Sequence, residues 1–125
     1  MSYKILIVDD SKLARMAVTR ALDALYPDWP RLEAANADEA LKALKQEAPD
    51  IALLDFNMPG RSGLDLAAEL RESKPGMPVA VISANRQREV LNRAHAVGAT
   101  FLSKPLTEEA LGEFLKAAMQ QLART

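Results

Sequence analysis

Five residues that could bind a metal ion or a phosphate group each come at the end of a short apolar run. Asp9 and Asp10 follow the first run, and Asp55, Ser83 and Lys104 follow three later ones. Ligands of open α/β sheets bind at the carboxyl ends of the strands. If the runs are parallel strands, three carboxylates, one hydroxyl and one ammonium group therefore meet in one crevice.

The three carboxylates of this set favour a hard divalent cation as their partner. Like charges held close together raise one another's pKa unless a cation is present. Carboxylate and carbonyl oxygens, together with water, are the ligands that Mg²⁺ prefers. The chain has no cysteine and a single histidine, His95, so thiolate and multi-histidine metal sites are excluded. We therefore expect Mg²⁺, and we expect His95 to lie on a helix surface without a catalytic role.

The elements that must carry these residues alternate between strands and helices. Short apolar runs predict strands at residues 4–8, 31–35, 51–54, 78–82 and 99–102. Apolar residues at three- and four-residue spacing after each strand predict five amphipathic helices. Side chains that favour helix N-caps precede four of these helices, namely Ser11, Asn36, Ser62 and Thr107. Glu39, three residues after Asn36, resembles a capping box, and Gly98 is placed to end the fourth helix.

This order predicts a single α/β domain over residues 1–125. Alternating strands and helices indicate a parallel sheet covered on both faces, and five strands favour the flavodoxin-like order 2-1-3-4-5. That order makes the first and third strands neighbours and brings Asp9, Asp10 and Asp55 together. Trp29, the only tryptophan, falls in the first helix-to-strand loop at the opposite end of the sheet.

Composition limits the functional classes. The 125 residues are 49% hydrophobic and 26% charged with a net charge of -1, which is an ordinary globular profile. A nearly neutral chain with 5% aromatic residues is unlike a nucleic-acid binder. No apolar run approaches the roughly 18 residues of a membrane span, and residues 1–8 are unlike a signal peptide. We therefore expect a cytoplasmic protein with no nucleic-acid or membrane partner.

These residues and their spacing resemble the receiver domain of two-component response regulators, the CheY-like family. The resemblance covers essentially the whole chain and implies a flavodoxin-like three-layer sandwich. The matching segments are Val8-Asp9-Asp10-Ser11, Leu54-Asp55, Asn57-Met58-Pro59-Gly60 with Gly63, Ile82-Ser83-Ala84 and Lys104-Pro105.

The resemblance implies a role for each residue that would hold Mg²⁺ or the phosphoryl group. Asp55 matches the phosphoacceptor, whose carboxylate becomes an acyl phosphate. Asp10 and Asp55 match direct Mg²⁺ ligands, and Asp9 matches a ligand that acts through water. Asn57 matches the position whose backbone carbonyl binds the metal. Lys104 matches the lysine that pairs with the phosphoryl oxygens.

The resemblance also implies a conformational switch. Ser83 matches the hydroxyl that moves to bond the phosphoryl group, and Phe101 matches the aromatic residue that turns inward with it. Pro105 matches a proline that follows the lysine through a cis peptide bond. The face formed by the fourth helix, fifth strand and fifth helix would carry the signal. Asn57 and Asn85 match positions that tune the lifetime of the acyl phosphate.

The expected function is a signalling phosphoacceptor rather than an enzyme. Its phosphoryl donor would be a histidine kinase, a histidine phosphotransfer protein or a small phosphodonor. Its target would be a downstream protein, and the chain would be a monomer or a weak dimer. It would act as a stand-alone regulator or be a receiver cut from a longer protein, without a DNA-binding output domain.

Other interpretations remain open for the same residues. Asp9, Asp10 and Ser11 could only cap a helix, and Asp55 could only form a turn. An aspartyl-phosphate phosphatase of the haloacid-dehalogenase type needs an acid at position 57, where this chain has Asn57. A flavodoxin-like cofactor binder needs a hydroxyl- and glycine-rich loop after the first strand. A pseudo-receiver would bind partners without phosphorylation. Three arginines, Arg86, Arg88 and Arg93, would form a solvated helix face or a docking surface.

Overall fold

The apolar runs form a five-stranded parallel sheet at the centre of the molecule. The structure, a computed structural model, describes residues 2–124, so Met1 and Thr125 of the predicted 1–125 domain lie outside the described residues. The strands lie in the predicted order β2-β1-β3-β4-β5. They are β1 (Ile5–Val8), β2 (Arg31–Ala34), β3 (Ile51–Asp55), β4 (Val79–Ser83) and β5 (Thr100–Ser103).

Helices cover both faces of the sheet and give the three-layer arrangement. They are α1 (Lys12–Leu25), α2 (Ala37–Glu47), α3 (Gly63–Ser73), α4 (Arg88–Ala96) and α5 (Glu108–Ala123). Buried side chains of α1 and α5 pack with one face of the sheet. Those of α2, α3 and α4 pack with the other. Every residue of β1, β3 and β4 is buried, as expected for central strands covered on both sides.

Side-chain caps begin four of the five helices at the predicted residues, and α4 has none. The side chains of Ser11, Ser62 and Thr107 accept backbone N–H bonds from Ala14, Asp65 and Ala110. Asn36 caps α2 by accepting the Glu39 N–H at 2.9 Å. The capping box is confirmed in part, because the Glu39 carboxylate accepts from the N–H of Ala35 at 3.0 Å instead of that of the cap residue. Gly98 follows α4 at a φ of 78°, a left-handed conformation that suits glycine.

The strand register brings the residues of the crevice to one edge. Val8 is paired with Leu54, Asp55 with Ile82, and Ser83 with Ser103. Asp9 and Asp10 therefore leave β1 beside the last residue of β3. Lys104 leaves β5 beside the last residue of β4.

Trp29 lies at the opposite end of the sheet, as predicted. The loop that holds it precedes β2, and the neighbouring Pro30 carbonyl accepts the N–H of Ile5 at the start of β1. The Trp29 ring is 5% exposed. It stacks on Tyr26 at 4.0 Å between ring centroids and meets Tyr3 edge-on at 5.3 Å. In residues 2–124, no helix has the length and apolar character that crossing a membrane requires.

Candidate functional site

Asp55 is a buried carboxylate at the end of β3 that forms an ion pair with Lys104. Its side chain is 5% exposed, and its Oδ1 accepts a bond from the Lys104 Nζ at 2.6 Å. The Lys104 side chain is 39% exposed, so its ammonium group approaches the carboxylate from the solvent side. A buried carboxylate requires such a compensating charge.

Asp9 and Asp10 lie in the turn between β1 and α1. Asp9 is 7% exposed, and its Oδ1 accepts the N–H of Ser11 at 2.9 Å. Asp10 is exposed. One carboxylate oxygen from each of Asp9, Asp10 and Asp55 lies within 4.8 Å of the other two. The two aspartates of the turn thus contribute a buried and an exposed carboxylate to the same cluster as the end of β3.

The electrostatics of this cluster favour the addition of a cation. Burial raises the pKa of Asp9, and the neighbouring carboxylates of Asp55 and Asp10 raise it further. The Ser11 N–H and the Lys104 ammonium group act in the opposite direction without reversing the shift. Oxygen ligands at this spacing fit a hard divalent ion such as Mg²⁺. The residues present therefore suit the metal that the sequence predicts.

Gly63 holds the loop between β3 and α3 against the backbone of Asp55. The N–H of Phe56 donates to the Ile82 carbonyl at 2.9 Å, and the N–H of Gly63 donates to the Phe56 carbonyl at 2.9 Å. A Cβ atom added to Gly63 would lie 2.2 Å from the carbonyl oxygen of Asp55. Only glycine allows α3 to begin this close to β3. The loop also carries Asn57, which is exposed.

Ser83 links the end of β4 to the loop before α4 and to the residue after β5. It is 1% exposed, and its Oγ accepts the N–H of Asn85 at 2.9 Å. Its carbonyl accepts the N–H of Lys104 at 3.0 Å. A hydroxyl that accepts one bond still has its own O–H to donate. Phe101 on β5 is half-buried and packs against the core cluster that includes α4, and the Lys104–Pro105 bond is cis.

The structure therefore brings four of the predicted residues into direct proximity and joins a fifth to them through the backbone. Asp9, Asp10, Asp55 and Lys104 form the cluster. Ser83 is joined to Lys104 through the backbone. Phe101 lies on β5, two residues before the end of the strand. His95 is exposed on α4, as expected, and so are Arg88 and Arg93, while Arg86 is exposed in the loop before this helix.

Arg15 contacts this region although the sequence only assigns it to the polar face of α1. Its Nη1 donates to the backbone carbonyl of Asp9 at 2.5 Å, and its Nε donates to Glu33 Oε1 at 2.9 Å. The contact depends on β2 lying beside β1. No local sequence pattern indicates which strand lies beside β1, so the helical spacing of Arg15 does not predict these two contacts.

A family model described as the response regulator receiver domain matches residues 5–116. The positive alginate biosynthesis regulatory protein of Pseudomonas aeruginosa is 42% identical over 118 residues, which are 91% of this chain and 46% of that protein. The glycerol metabolism activator of Pseudomonas putida is 38% identical over 104 residues, which are 82% of this chain and 47% of that protein. The chain thus spans about half the length of these curated relatives.

Solved structures show the same fold. Chemotaxis protein CheY4 of Vibrio cholerae superposes with a TM-score of 0.84 at 28% identity, covering 94% of this chain and 99% of that one. A CheY-like receiver domain protein of Methanospirillum hungatei superposes with a TM-score of 0.89 at 24% identity, covering 100% of both chains. The second likeness concerns the fold alone.

Proposed function

We propose, because this chain belongs to the response regulator receiver family, that Asp55 accepts a phosphoryl group from a phosphohistidine of a partner protein. The observation that carries the proposal is the ion pair between Asp55 and Lys104 at 2.6 Å inside a cluster of three carboxylates. The family is a signalling domain of two-component systems, and the chain would serve as its phosphoacceptor.

In the proposed step, a carboxylate oxygen of Asp55 attacks phosphorus. The P–N bond to the donor histidine breaks, and its electron pair stays on the imidazole nitrogen, which takes up a proton. Phosphoryl transfer depends mainly on positioning and on neutralising the phosphoryl oxygens. Lys104, already beside Asp55, is placed to move its ammonium group onto those oxygens. The product is an acyl phosphate on Asp55.

Mg²⁺ would be held by Asp10 and Asp55 directly, by Asp9 through water and by the backbone carbonyl of Asn57. When bound, it would supply positive charge to the phosphoryl oxygens and to the carboxylates around them. The support for these ligands is the spacing of the three carboxylates and the raised pKa of Asp9. Asn57 would contribute through its position two residues after Asp55.

The response to phosphorylation would pass through Ser83 and Phe101. The Ser83 hydroxyl would donate to the phosphoryl group and move the backbone that it now anchors through Asn85 and Lys104. Phe101, half-buried on β5, would turn further inward. The face formed by α4, β5 and α5 would then change and bind a downstream protein, with the chain as a monomer or a weak dimer.

A protein donor is favoured by apolar side chains beside the site. Leu13 is 78% exposed and Met16 is 41% exposed, both on α1 directly after the acidic turn. Exposed apolar residues of this size are typical of a surface that meets another protein. A histidine kinase or a histidine phosphotransfer protein would bring its phosphohistidine to Asp55 across this helix.

The test is phosphorylation by acetyl phosphate, followed by intact mass. We expect a single phosphoryl adduct on the native chain that needs Mg²⁺ and is absent from Asp55→Asn. Asp65→Asn is the matched control, because Asp65 is an exposed aspartate in the first turn of α3, and it should accept the group normally. An adduct that persists in Asp55→Asn would show that the acceptor is wrong.

A pseudo-receiver would give no adduct with acetyl phosphate. Incubation with a phosphorylated histidine phosphotransfer protein distinguishes it from a receiver that refuses small donors. Transfer of the label to the native chain and not to Asp55→Asn would support the proposal. No transfer from either kind of donor would refute it.

A further inference from the structure

Arg15 joins three elements around the turn that carries Asp9 and Asp10. From the second turn of α1, its guanidinium group donates to the Asp9 carbonyl at 2.5 Å. The same group pairs with Glu33 on β2 at 2.9 Å. The Arg15 side chain is 15% exposed, so the guanidinium lies largely between these elements. An arginine with two partners in different elements restricts their relative position.

The contact completes the fixation of Asp9. Its backbone N–H donates to the Ala34 carbonyl at 3.1 Å, and its Oδ1 accepts the N–H of Ser11. Arg15 supplies the donor for the other backbone group of the residue, its carbonyl. The direction of the Asp9 side chain and the start of the peptide to Asp10 are therefore set by three bonds, one to β2, one within the turn itself and one to α1.

We propose that Arg15 is a positioning residue for divalent-cation binding, which holds the β1–α1 turn so that Asp9 and Asp10 stay in reach of Asp55. This inference rests on the proposed function, since it assumes that the carboxylates bind the cation. Without a cation, the three carboxylates repel one another across 4.8 Å or less, and this repulsion pushes the turn away from Asp55. Arg15 opposes that movement through the backbone, so the site is already formed when the cation arrives.

The proposal predicts that loss of Arg15 weakens Mg²⁺ binding, whereas the loss of its positive charge alone would strengthen it. Removing a positive charge close to a cation site should strengthen cation binding by reducing repulsion. Removing a residue that positions the ligands should weaken binding, and partners that orient metal ligands typically contribute 10- to 100-fold in affinity. Arg15 acts on the backbone of one ligand and on no ligand side chain. We therefore expect its loss to lower the Mg²⁺ affinity by about tenfold, the lower end of that range.

The experiment is an NMR titration with Mg²⁺ alone, which follows the backbone amides of Asp10 and Phe56. We expect Arg15→Met to raise the Kd for Mg²⁺ about tenfold, and Arg15→Lys to raise it less, since an ammonium group can replace one of the two contacts. Arg20→Met is the matched control, because Arg20 is exposed on the same helix. That variant should bind Mg²⁺ as the native chain does, or slightly more tightly.

An Arg15→Met protein that is folded and binds Mg²⁺ within twofold of the native chain, or more tightly, would overturn the inference while leaving the proposed function intact. A native chain that does not bind Mg²⁺ would overturn both. If Arg15→Met does not fold, Arg15→Lys and Glu33→Gln decide the matter, since Glu33→Gln keeps the Asp9 contact and loosens the guanidinium. A raised Kd in both supports the proposal, and an unchanged Kd in both refutes it.

Discussion

Replacing Gly63 with alanine should displace the Asp55 backbone without changing the chemistry of the Asp55 side chain. The added Cβ would lie 2.2 Å from the Asp55 carbonyl oxygen, 2.9 Å from its carbonyl carbon and 3.0 Å from the Phe56 Cα. All three atoms belong to the backbone, so no side chain can rotate away. Either β3 must move at its end, or the start of α3 must move away from it.

The size of the movement follows from the contact distance. A carbon–oxygen contact needs about 3.2 Å, so the 2.2 Å approach requires a shift of about 1 Å. Forcing one extra carbon into a packed site typically costs about 1–3 kcal/mol of unfolding free energy. A misplacement of about 1 Å at a reacting group can cost about 100-fold in rate. We therefore expect both losses in Gly63→Ala.

The assay combines urea denaturation with the rate of phosphorylation by acetyl phosphate in Mg²⁺. Gly112→Ala is the matched control, because its added Cβ would lie 3.7 Å from the nearest atom, the Leu25 Cδ2, an ordinary contact. In the interior of α5 the same substitution should gain up to about 1 kcal/mol from helix propensity. The two variants should therefore change stability in opposite directions, and only Gly63→Ala should be slow to accept phosphate.

A Gly63→Ala chain with native stability and a native rate would refute this reasoning. It would mean that the start of α3 can withdraw from Asp55 at no cost. A chain that is destabilised but phosphorylates normally would show that α3 yields while β3 stays in place. That result would support the close contact between Gly63 and the Asp55 backbone. It would refute the idea that this contact positions the Asp55 carboxylate.

Four further outcomes are expected. Burial and the neighbouring carboxylates raise the pKa of Asp9 above 3.8. The native state therefore binds a proton on the Asp9 carboxyl more tightly than the unfolded chain does. The stability that this proton contributes is lost as the pH rises through the raised pKa. Asp9→Asn should therefore raise the melting temperature at pH 7 in EDTA, and a lower one would contradict this. Lys104→Met should slow phosphorylation by about 100- to 1000-fold, measured by intact mass, and a native rate would count against the ion pair. Ala48 ends α2 at a φ of 47°, so Ala48→Gly should add about 1 kcal/mol of unfolding free energy in urea denaturation, and an unchanged or lower value would contradict this. Trp29 fluorescence should stay constant on Mg²⁺ addition and change on unfolding; a change on binding would mean that the far end of the sheet responds.

Much of this fold is predictable from the sequence because its signals are local. The central strands consist of apolar residues throughout, and all of their residues are buried. Each side-chain cap lies directly before its helix. The parallel arrangement places the carboxyl end of every strand at one edge of the sheet, so the proximity of Asp55 and Lys104 could be predicted from the sequence.

Where the prediction was inexact, competing bonds explain the difference. Ala99 was expected to begin β5, but its N–H bonds to the Ala94 carbonyl and closes α4. Ala35 was expected to end β2, but its N–H bonds to the Glu39 carboxylate. Leu13 follows the apolar spacing of α1, yet it is 78% exposed, so helical spacing alone does not predict which apolar residues of α1 are buried. The Arg15 contacts depend on neighbouring strands and could not be predicted from spacing.

The pairing of Asp55 with a residue 49 positions later has a consequence for how the protein is made. A nascent chain that has emerged only through β4 already carries all three carboxylates but lacks the lysine. Its acidic edge has neither the counter-charge nor the last strand, which is paired with β4 through Ser83 and Ser103. Both β5 and Lys104 must emerge from the ribosome before this edge of the sheet is complete. The charge balance of this edge is thus established only after all five strands have been synthesised, with α5 alone still to follow.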